Sequence, residues 1–208
     1  MQRPAWTLLL AVCAALASPA PAENYSISPA EGSHFTLRVS KTGLLSGKVH
    51  VFVFERYSGQ LDYDAADPTA SSVKLHIDTE SIVCKDDWVS DKDLAKIDKE
   101  AREKMLAVER YTQIAFVSRQ VRKGAADGAF EVQGDLTIRD RTKPVAVTTT
   151  LRLDASGSLA FEGKAVVKLK DYGLKPPSAA FGMIGTKDEM DLEFRLVARP
   201  ATAHEAGN

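Results

Sequence analysis

Cysteine is nearly absent from this sequence, which has only two among 208 residues. Cys13 lies in an apolar N-terminal stretch that we expect to be removed, so Cys84 is the one cysteine of the mature chain. A single cysteine leaves no internal disulfide bond to constrain the unfolded chain. The fold must therefore be held by its core and its backbone hydrogen bonds.

The sequence also lacks an excess of charge and the usual catalytic motifs. It has 27 basic and 28 acidic side chains, a net charge of −1, so no nucleic-acid partner is expected. It contains no glycine-rich phosphate loop, no nucleophile elbow and no histidines at metal-ligand spacing. We therefore expect no enzyme activity, no catalytic residue, no metal and no cofactor.

The N terminus has the pattern of an export signal. Arg3 precedes an apolar run over residues 5–17, and Ala20, Pro21 and Ala22 form a small-x-small cleavage site. This pattern predicts a signal peptide over residues 1–22, cleaved after Ala22, and an exported mature protein. A membrane anchor and a lipoprotein attached through Cys13 are the alternatives, but the run is too short for a membrane span.

Residues 128–153 organise the rest of the chain. Apolar and polar side chains alternate along two long segments around a turn at Asp140 and Arg141, which is typical of a hairpin with one apolar face. The same alternation recurs from Phe35 to Ala198, except that residues 48–55 are partly apolar on both faces, which leaves their inward face open. One helical stripe, residues 91–106, interrupts it, with Ser90 as a predicted N-cap.

Eight or nine strands and one amphipathic helix predict an all-β fold, an antiparallel eight-stranded β-barrel. A sandwich and a membrane barrel are the other architectures that this alternation of apolar and polar residues allows. The expected organisation is a barrel domain over residues 23–199, which contains a polar lead-in over residues 25–32 and is followed by a disordered tail over residues 200–208.

The inward face mixes large side chains with small ones, among them Gly134, Thr149, Gly163 and Ala165. An eight-stranded barrel can be filled by its own side chains or can hold one ligand. Small inward residues on adjacent strands indicate a hollow, while large neighbours could fill the gaps, and the residues alone leave this open. The predicted lining is Phe35, Leu37, Leu75, Ile77, Ile114, Phe116, Phe130, Val132, Gly134, Leu136, Phe161, Gly163, Ala165, Val167, Phe194 and Leu196.

Several stretches resemble the YceI-like family in order and spacing. The segment GDLTIRDRTKPV (134–145) is similar to the family's hairpin, although Asp140 replaces its turn glycine. Thr112 likewise replaces a proline after Tyr111. The other similar segments are SSVKLHIDTESI (71–82), MLAVERYTQIAFVS (105–118), DYGLKPP (171–177) and IGTKDEMDLEF (184–194).

This resemblance implies a periplasmic, lipocalin-like barrel that binds a long isoprenoid or similar apolar lipid and has no catalytic residues. Candidate head-group partners are Lys168, Lys170, Tyr172 and Lys175, although solvent-facing lysines would give the same pattern. Transient membrane contact and a monomer or homodimer are expected, and the helix is either a lid or a static plug. The alternatives are a structural or stress-response protein with a filled core, and an enzyme acting on an apolar substrate.

Overall fold

The structure, a computed structural model, describes residues 22–154 and 156–201. Eleven strands form one antiparallel sheet, and one helix interrupts them. No helix among these residues has the length and apolar character needed to cross a membrane. The strands are β1 (Glu23–Ile27), β2 (His34–Gly43), β3 (Val49–Phe54), β4 (Tyr57–Tyr63), β5 (Ser72–Asp78), β6 (Ile82–Cys84), β7 (Gln113–Lys123), β8 (Ala129–Ile138), β9 (Arg141–Leu153), β10 (Leu159–Lys168) and β11 (Ile184–Pro200).

The sheet closes into a barrel through its first and last strands. Strands β1, β4, β5, β7, β8, β9, β10 and β11 form a ring of eight, closed where Ile27 pairs with Ala198. Strands β2, β3 and β6 extend this ring at one end, because the first part of β11 pairs with β2 and its last residues pair with β1. The predicted eight-stranded antiparallel barrel is therefore confirmed.

The predicted hairpin is β8 and β9, and it is in register from Ile138 opposite Arg141 to Ala129 opposite Thr150. The turn residues are Arg139 and Asp140, and the left-handed φ of +57° belongs to Arg139. The guanidinium of Arg139 donates through Nη2 to the carbonyl oxygen of Lys104, while its Nε is buried without a partner among the described residues. The hairpin turn is thus bonded to the last turns of the helix.

Strand β3, which is apolar on both faces, has one clear inner face in the structure. His50, Phe52 and Phe54 are buried, whereas Val49, Val51 and Val53 are only half-buried. The ring of Phe54 meets the ring of Phe35 edge to face, with centroids 6.0 Å apart. Aromatic side chains bury more apolar area than valine, so the aromatic face is the one turned to the core.

Two short strands, β1 and β6, were not predicted. The expected polar lead-in contains β1, where Tyr25 and Ile27 are buried between β4 and β11. At the other terminus β11 runs to Pro200, and the amide of Ala201 donates to the carbonyl oxygen of Asn24. The signal peptide over residues 1–22 and the rest of the predicted tail, residues 202–208, lie outside the described residues except for Ala22.

The helix, α1, runs over Asp91–Lys99 and continues as a π-helix over Glu100–Leu106. Ser90 caps it as predicted, since its side chain accepts the amide of Asp93. Arg102 holds the π segment to the barrel by donating to the carbonyl oxygens of Glu80 and Ile82, at 2.7 and 2.8 Å. The helix therefore covers one end of the barrel, above the start of β6.

Candidate functional site

The barrel encloses two cavities, one at each end. The far-end cavity, remote from the helix, has a volume of about 130 Å³ and lies between β4, β5 and β7 to β11. The helix-end cavity has a volume of about 570 Å³ and lies beneath residues 91–106, with further walls from β2, β3 and residues 174–186. Ligand pockets in proteins usually measure about 300–1,000 Å³, so the helix-end cavity alone has the size of a binding site.

Four side chains belong to the walls of both cavities and form a waist at mid-barrel. They are Phe35, Ile77, Leu136 and Leu192. Phe35 stacks on Phe194 with ring centroids 6.1 Å apart and an interplanar angle of 14°. The interior is thus two chambers that meet at an apolar constriction.

Fourteen of the sixteen predicted lining residues lie on the cavity walls. Phe35, Ile77 and Leu136 face both cavities. Leu37, Ile114 and Val167 face the helix-end cavity. Leu75, Phe116, Phe130, Val132, Phe161, Ala165, Phe194 and Leu196 face the far-end cavity.

Gly134 and Gly163 do not open a hollow, which corrects the prediction for these two residues. A Cβ atom added at Gly134 would lie 2.4 Å from Cζ of Phe116, and one added at Gly163 would lie 2.5 Å from Cζ of Phe194. Phe194 pairs directly opposite Gly163, and Phe116 lies diagonally across from Gly134. Each ring lies over the space that its neighbouring glycine leaves, so part of the inner face is filled by large neighbours.

The predicted head-group residues do not line either cavity. Lys168, Lys170 and Lys175 are exposed, and Lys168 pairs with Glu189 at 3.4 Å. Tyr172 is buried in the core, and this burial raises the pKa of its phenol to about 12. Strand β10 and its alternation end at Lys168. In the helical turn over Leu169–Tyr172 that follows, strand alternation no longer holds, so Tyr172 points into the core although Lys168 and Lys170 point outward.

The polar groups that do reach the helix-end cavity come from other segments. Lys41, Ser90, Asp93, Glu100 and Thr186 are all on its wall. The ammonium group of Lys41 donates to the hydroxyl of Thr186 at 3.3 Å. Burial lowers the pKa of Lys41, while the charges of Glu100 and Asp86 act in the opposite direction.

A buried polar cluster lies at the same wall, which His50 itself lines. His50 Nδ1 lies 2.5 Å from Oδ2 of Asp86, whose other oxygen accepts the amide of Val51 at 2.8 Å. The His50 ring stacks on Trp88 with centroids 5.2 Å apart. His50 lies on β3, and its carboxylate partner is 36 residues away in sequence, so no spacing of residues reveals the pair.

Cys84 completes this cluster, and its ligand atom lies within 4.8 Å of those of His50 and Asp86. Nitrogen, thiolate and carboxylate donors are the set that Zn²⁺ prefers, so these three residues are the ones among the described residues that could hold a metal. Without a bound metal, burial raises the pKa of Cys84 to about 12, so the metal-free cluster is a neutral thiol beside a hydrogen-bonded histidine–aspartate pair. A metal bound by these residues would itself displace the thiol proton.

The lining residues missed by sequence reasoning share a physical reason. Trp88, Ala179 and Ile184 lie in or next to irregular segments without a period, and Ile97 and Met105 are on the helix, where their stripe predicted a core face but not a cavity. The one sequence signal among them was the helical stripe of Leu94, Ile97, Ala101 and Met105, which indicated that the helix packs on the barrel.

The chain matches the family model of the YceI-like domain over residues 25–198. The chain belongs to the YceI-like family. A UPF0312 protein of Pseudomonas putida is 29% identical over 189 residues, covering 86% of this chain and 88% of that protein. The family predicted from the five sequence segments is thereby confirmed.

Two solved structures of low sequence identity share the fold. Burkholderia cenocepacia BcnA has a TM-score of 0.61 and 22% identity, covering 78% of this YceI-like chain and 96% of BcnA. A polyisoprenoid binding domain from Saccharophagus degradans has a TM-score of 0.60 and 15% identity, covering 85% and 98% of the two chains. At these identities the likeness concerns the architecture of the barrel.

Proposed function

We propose that this YceI-like protein binds a long isoprenoid-type or similar apolar lipid in its barrel and carries it through the periplasm. One observation carries the proposal: the helix-end cavity of about 570 Å³ is walled mainly by aliphatic and aromatic side chains. Membership of a family with a polyisoprenoid-binding structural neighbour supports the choice of ligand class.

The energetics favour a long chain. Burying a methylene group contributes about 0.8 kcal/mol, whereas association costs about 4–15 kcal/mol. A ligand with many methylene and methyl groups can therefore bind firmly with few polar contacts. The polar groups near the mouth, Lys41 and Thr186, would then orient a head group rather than supply most of the affinity.

Export and carriage belong to the same proposal. The N-terminal pattern over residues 1–22 supports secretion, and an apolar lipid needs a protein cavity to cross an aqueous compartment. Transient contact with a donor membrane follows from this role, and one barrel is sufficient to form the site.

A filled-core structural protein is the second candidate, and the far-end cavity favours it. Phe116 and Phe194 occupy the space over two glycines there, and the remaining volume is only about 130 Å³. An enzyme is less well supported, because the buried thiol of Cys84 is held in its neutral form.

The protein purified without detergent is expected to carry one long-chain apolar lipid per barrel. Native mass spectrometry gives the stoichiometry and organic extraction gives the lipid. Delipidation should lower the melting temperature, and adding back a long isoprenoid should restore it more than a short fatty acid does. If no lipid is extracted and neither ligand shifts the melting curve, the filled-core candidate replaces the carrier.

A further inference from the structure

Three of the five exposed large hydrophobic side chains among the described residues lie together. Phe181 is 108% exposed, Leu44 is 73% exposed and Met183 is 55% exposed. The other two, Leu153 and Val166, lie on β9 and β10. A cluster of exposed apolar side chains indicates an interaction surface, whereas isolated ones do not.

Two loops bring these side chains together. The amide of Leu44 donates to the carbonyl oxygen of Met183 at 3.0 Å. Gly43 permits this approach, because its φ is +69° and an added Cβ would lie 2.0 Å from that oxygen. We name the surface formed by Leu44, Phe181 and Met183 the apolar tip.

The backbone of the second loop holds Phe181 in solvent. Ala180, Phe181 and Gly182 have successive φ angles of +49°, +53° and +89°. Left-handed conformations are unfavourable for residues with a side chain and persist mainly at sites of function. No gain in the packing of Phe181 offsets this cost, since its ring is fully exposed.

The apolar tip lies beside the mouth of the helix-end cavity. Leu45, Ala179 and Ile184, the chain neighbours of the tip residues, are all on the wall of that cavity. A ligand entering between these loops would therefore pass the tip.

The two loop segments are also uniformly basic. Residues 41–48 and 173–187 contain Lys41, Lys48, Lys175 and Lys187 and no acidic residue. The segment at the start of α1, which lines the same cavity, carries Asp87, Asp91 and Asp93. The lysines thus lie on the two loop segments that carry the apolar tip.

We propose that the apolar tip docks this protein on the surface of an anionic phospholipid bilayer. Apolar side chains surrounded by lysines are the combination that inserts into a bilayer interface and meets its negative charge. Docking places the cavity mouth against the membrane, so the ligand passes between bilayer and barrel without entering water. The inference deepens the proposed carrier function and rests on it for the transfer step.

Co-sedimentation with vesicles tests the docking. The probe is an equal mixture of phosphatidylglycerol and phosphatidylcholine, compared with phosphatidylcholine alone. Phe181→Ser should weaken partition into the mixed vesicles about tenfold, the loss for one buried phenylalanine side chain. Leu44→Ser should weaken it too, and Lys48→Glu with Lys187→Glu should weaken it for the anionic vesicles only.

Leu153→Ser and Val166→Ser are the matched controls, because they remove exposed hydrophobic side chains away from the tip. They should bind vesicles like the unsubstituted protein. Equal binding by the tip variants and the controls would overturn the proposal. Loss of dimerisation in Phe181→Ser, with no vesicle binding by the unsubstituted protein, would also overturn it and assign the tip to a second copy of this chain.

Ligand content separates this inference from the proposed function. Phe181→Ser should keep its bound lipid, because its ring lines neither cavity, but should exchange that lipid with vesicles more slowly. A protein that never contains lipid would refute the carrier function while leaving the vesicle result of the tip intact.

Discussion

Glycine and phenylalanine act as pairs on the inner face of the barrel. Gly163 faces Phe194 across β10 and β11, and the ring occupies the position of the missing side chain. Gly163→Ala should therefore destabilise the protein by about 1–3 kcal/mol, because the added methyl group overlaps the ring and the carbonyl oxygen of Thr148.

Phe194→Leu should recover part of that loss in the double variant, since the smaller side chain leaves room. Urea unfolding of the four proteins of this double-mutant cycle measures the coupling. Additive losses would show that the overlap with Thr148, and not with the ring, dominates. Gly157→Ala offers no control, because the φ of Gly157 is +80°. Ala160→Gly, on the same strand as Gly163, serves instead.

Burial of Cys84 makes the free energy of unfolding depend on pH in the alkaline range. Burial raises the pKa of its thiol from 9.0 to about 12, so the unfolded chain loses this proton at lower pH than the folded protein does. The unfolded state then binds fewer protons, and the free energy of unfolding falls as pH rises above about 9.

Cys84→Ala should flatten this fall between about pH 9 and 10, before the buried tyrosines contribute. Chemical denaturation across this range measures it, and the thiol of the unsubstituted protein should resist alkylation until it unfolds. An identical slope in both proteins would mean that the thiol ionises freely in the folded state.

At the scale of the element, a few side-chain hydrogen bonds tie the helix to the barrel. Its first nine residues contain no buried side chain, and Arg102 supplies two of these bonds, to the carbonyl oxygens of Glu80 and Ile82. We expect Arg102→Met to destabilise the protein by about 1–3 kcal/mol and to speed ligand release, as for a lid.

Lys99→Met on the same helix is the control, because Lys99 is exposed and reaches only Glu103, at 3.9 Å. Stopped-flow displacement of a fluorescent lipid measures release. A lower melting temperature with unchanged release would identify the helix as a static plug.

The sequence predicted those elements whose signal is local. The alternation of β8 and β9 and the cap at Ser90 could be seen because the interacting residues are near in sequence. Strand β1 could not, since its five residues are defined by partners on β4 and β11. The His50–Asp86 pair and the apolar tip were invisible for the same reason: each joins segments that only the closed barrel brings together.

At the scale of the whole molecule, strand parity, the alternation of side chains between two faces, indicates which residues face inward but not the volume that they enclose. Fourteen of the residues predicted from it lie on the cavity walls, because a side chain on a strand points to one of only two faces. The division into two cavities depends instead on how rings such as Phe35 and Phe194 rotate and stack, which parity does not determine.

The waist makes the barrel a ruler for the ligand. A chain short enough for the helix-end cavity gains binding free energy with each carbon, until its end reaches Phe35, Ile77, Leu136 and Leu192. Phe35 is fixed between Phe54 and Phe194, so any passage has to come from rotation of the aliphatic side chains. Affinity should therefore rise with chain length, level off, and rise again only for chains that enter the far-end cavity. Calorimetry with a homologous series of prenyl lipids would reveal the plateau. Leu192→Ala should remove it, so that affinity rises with chain length without a break.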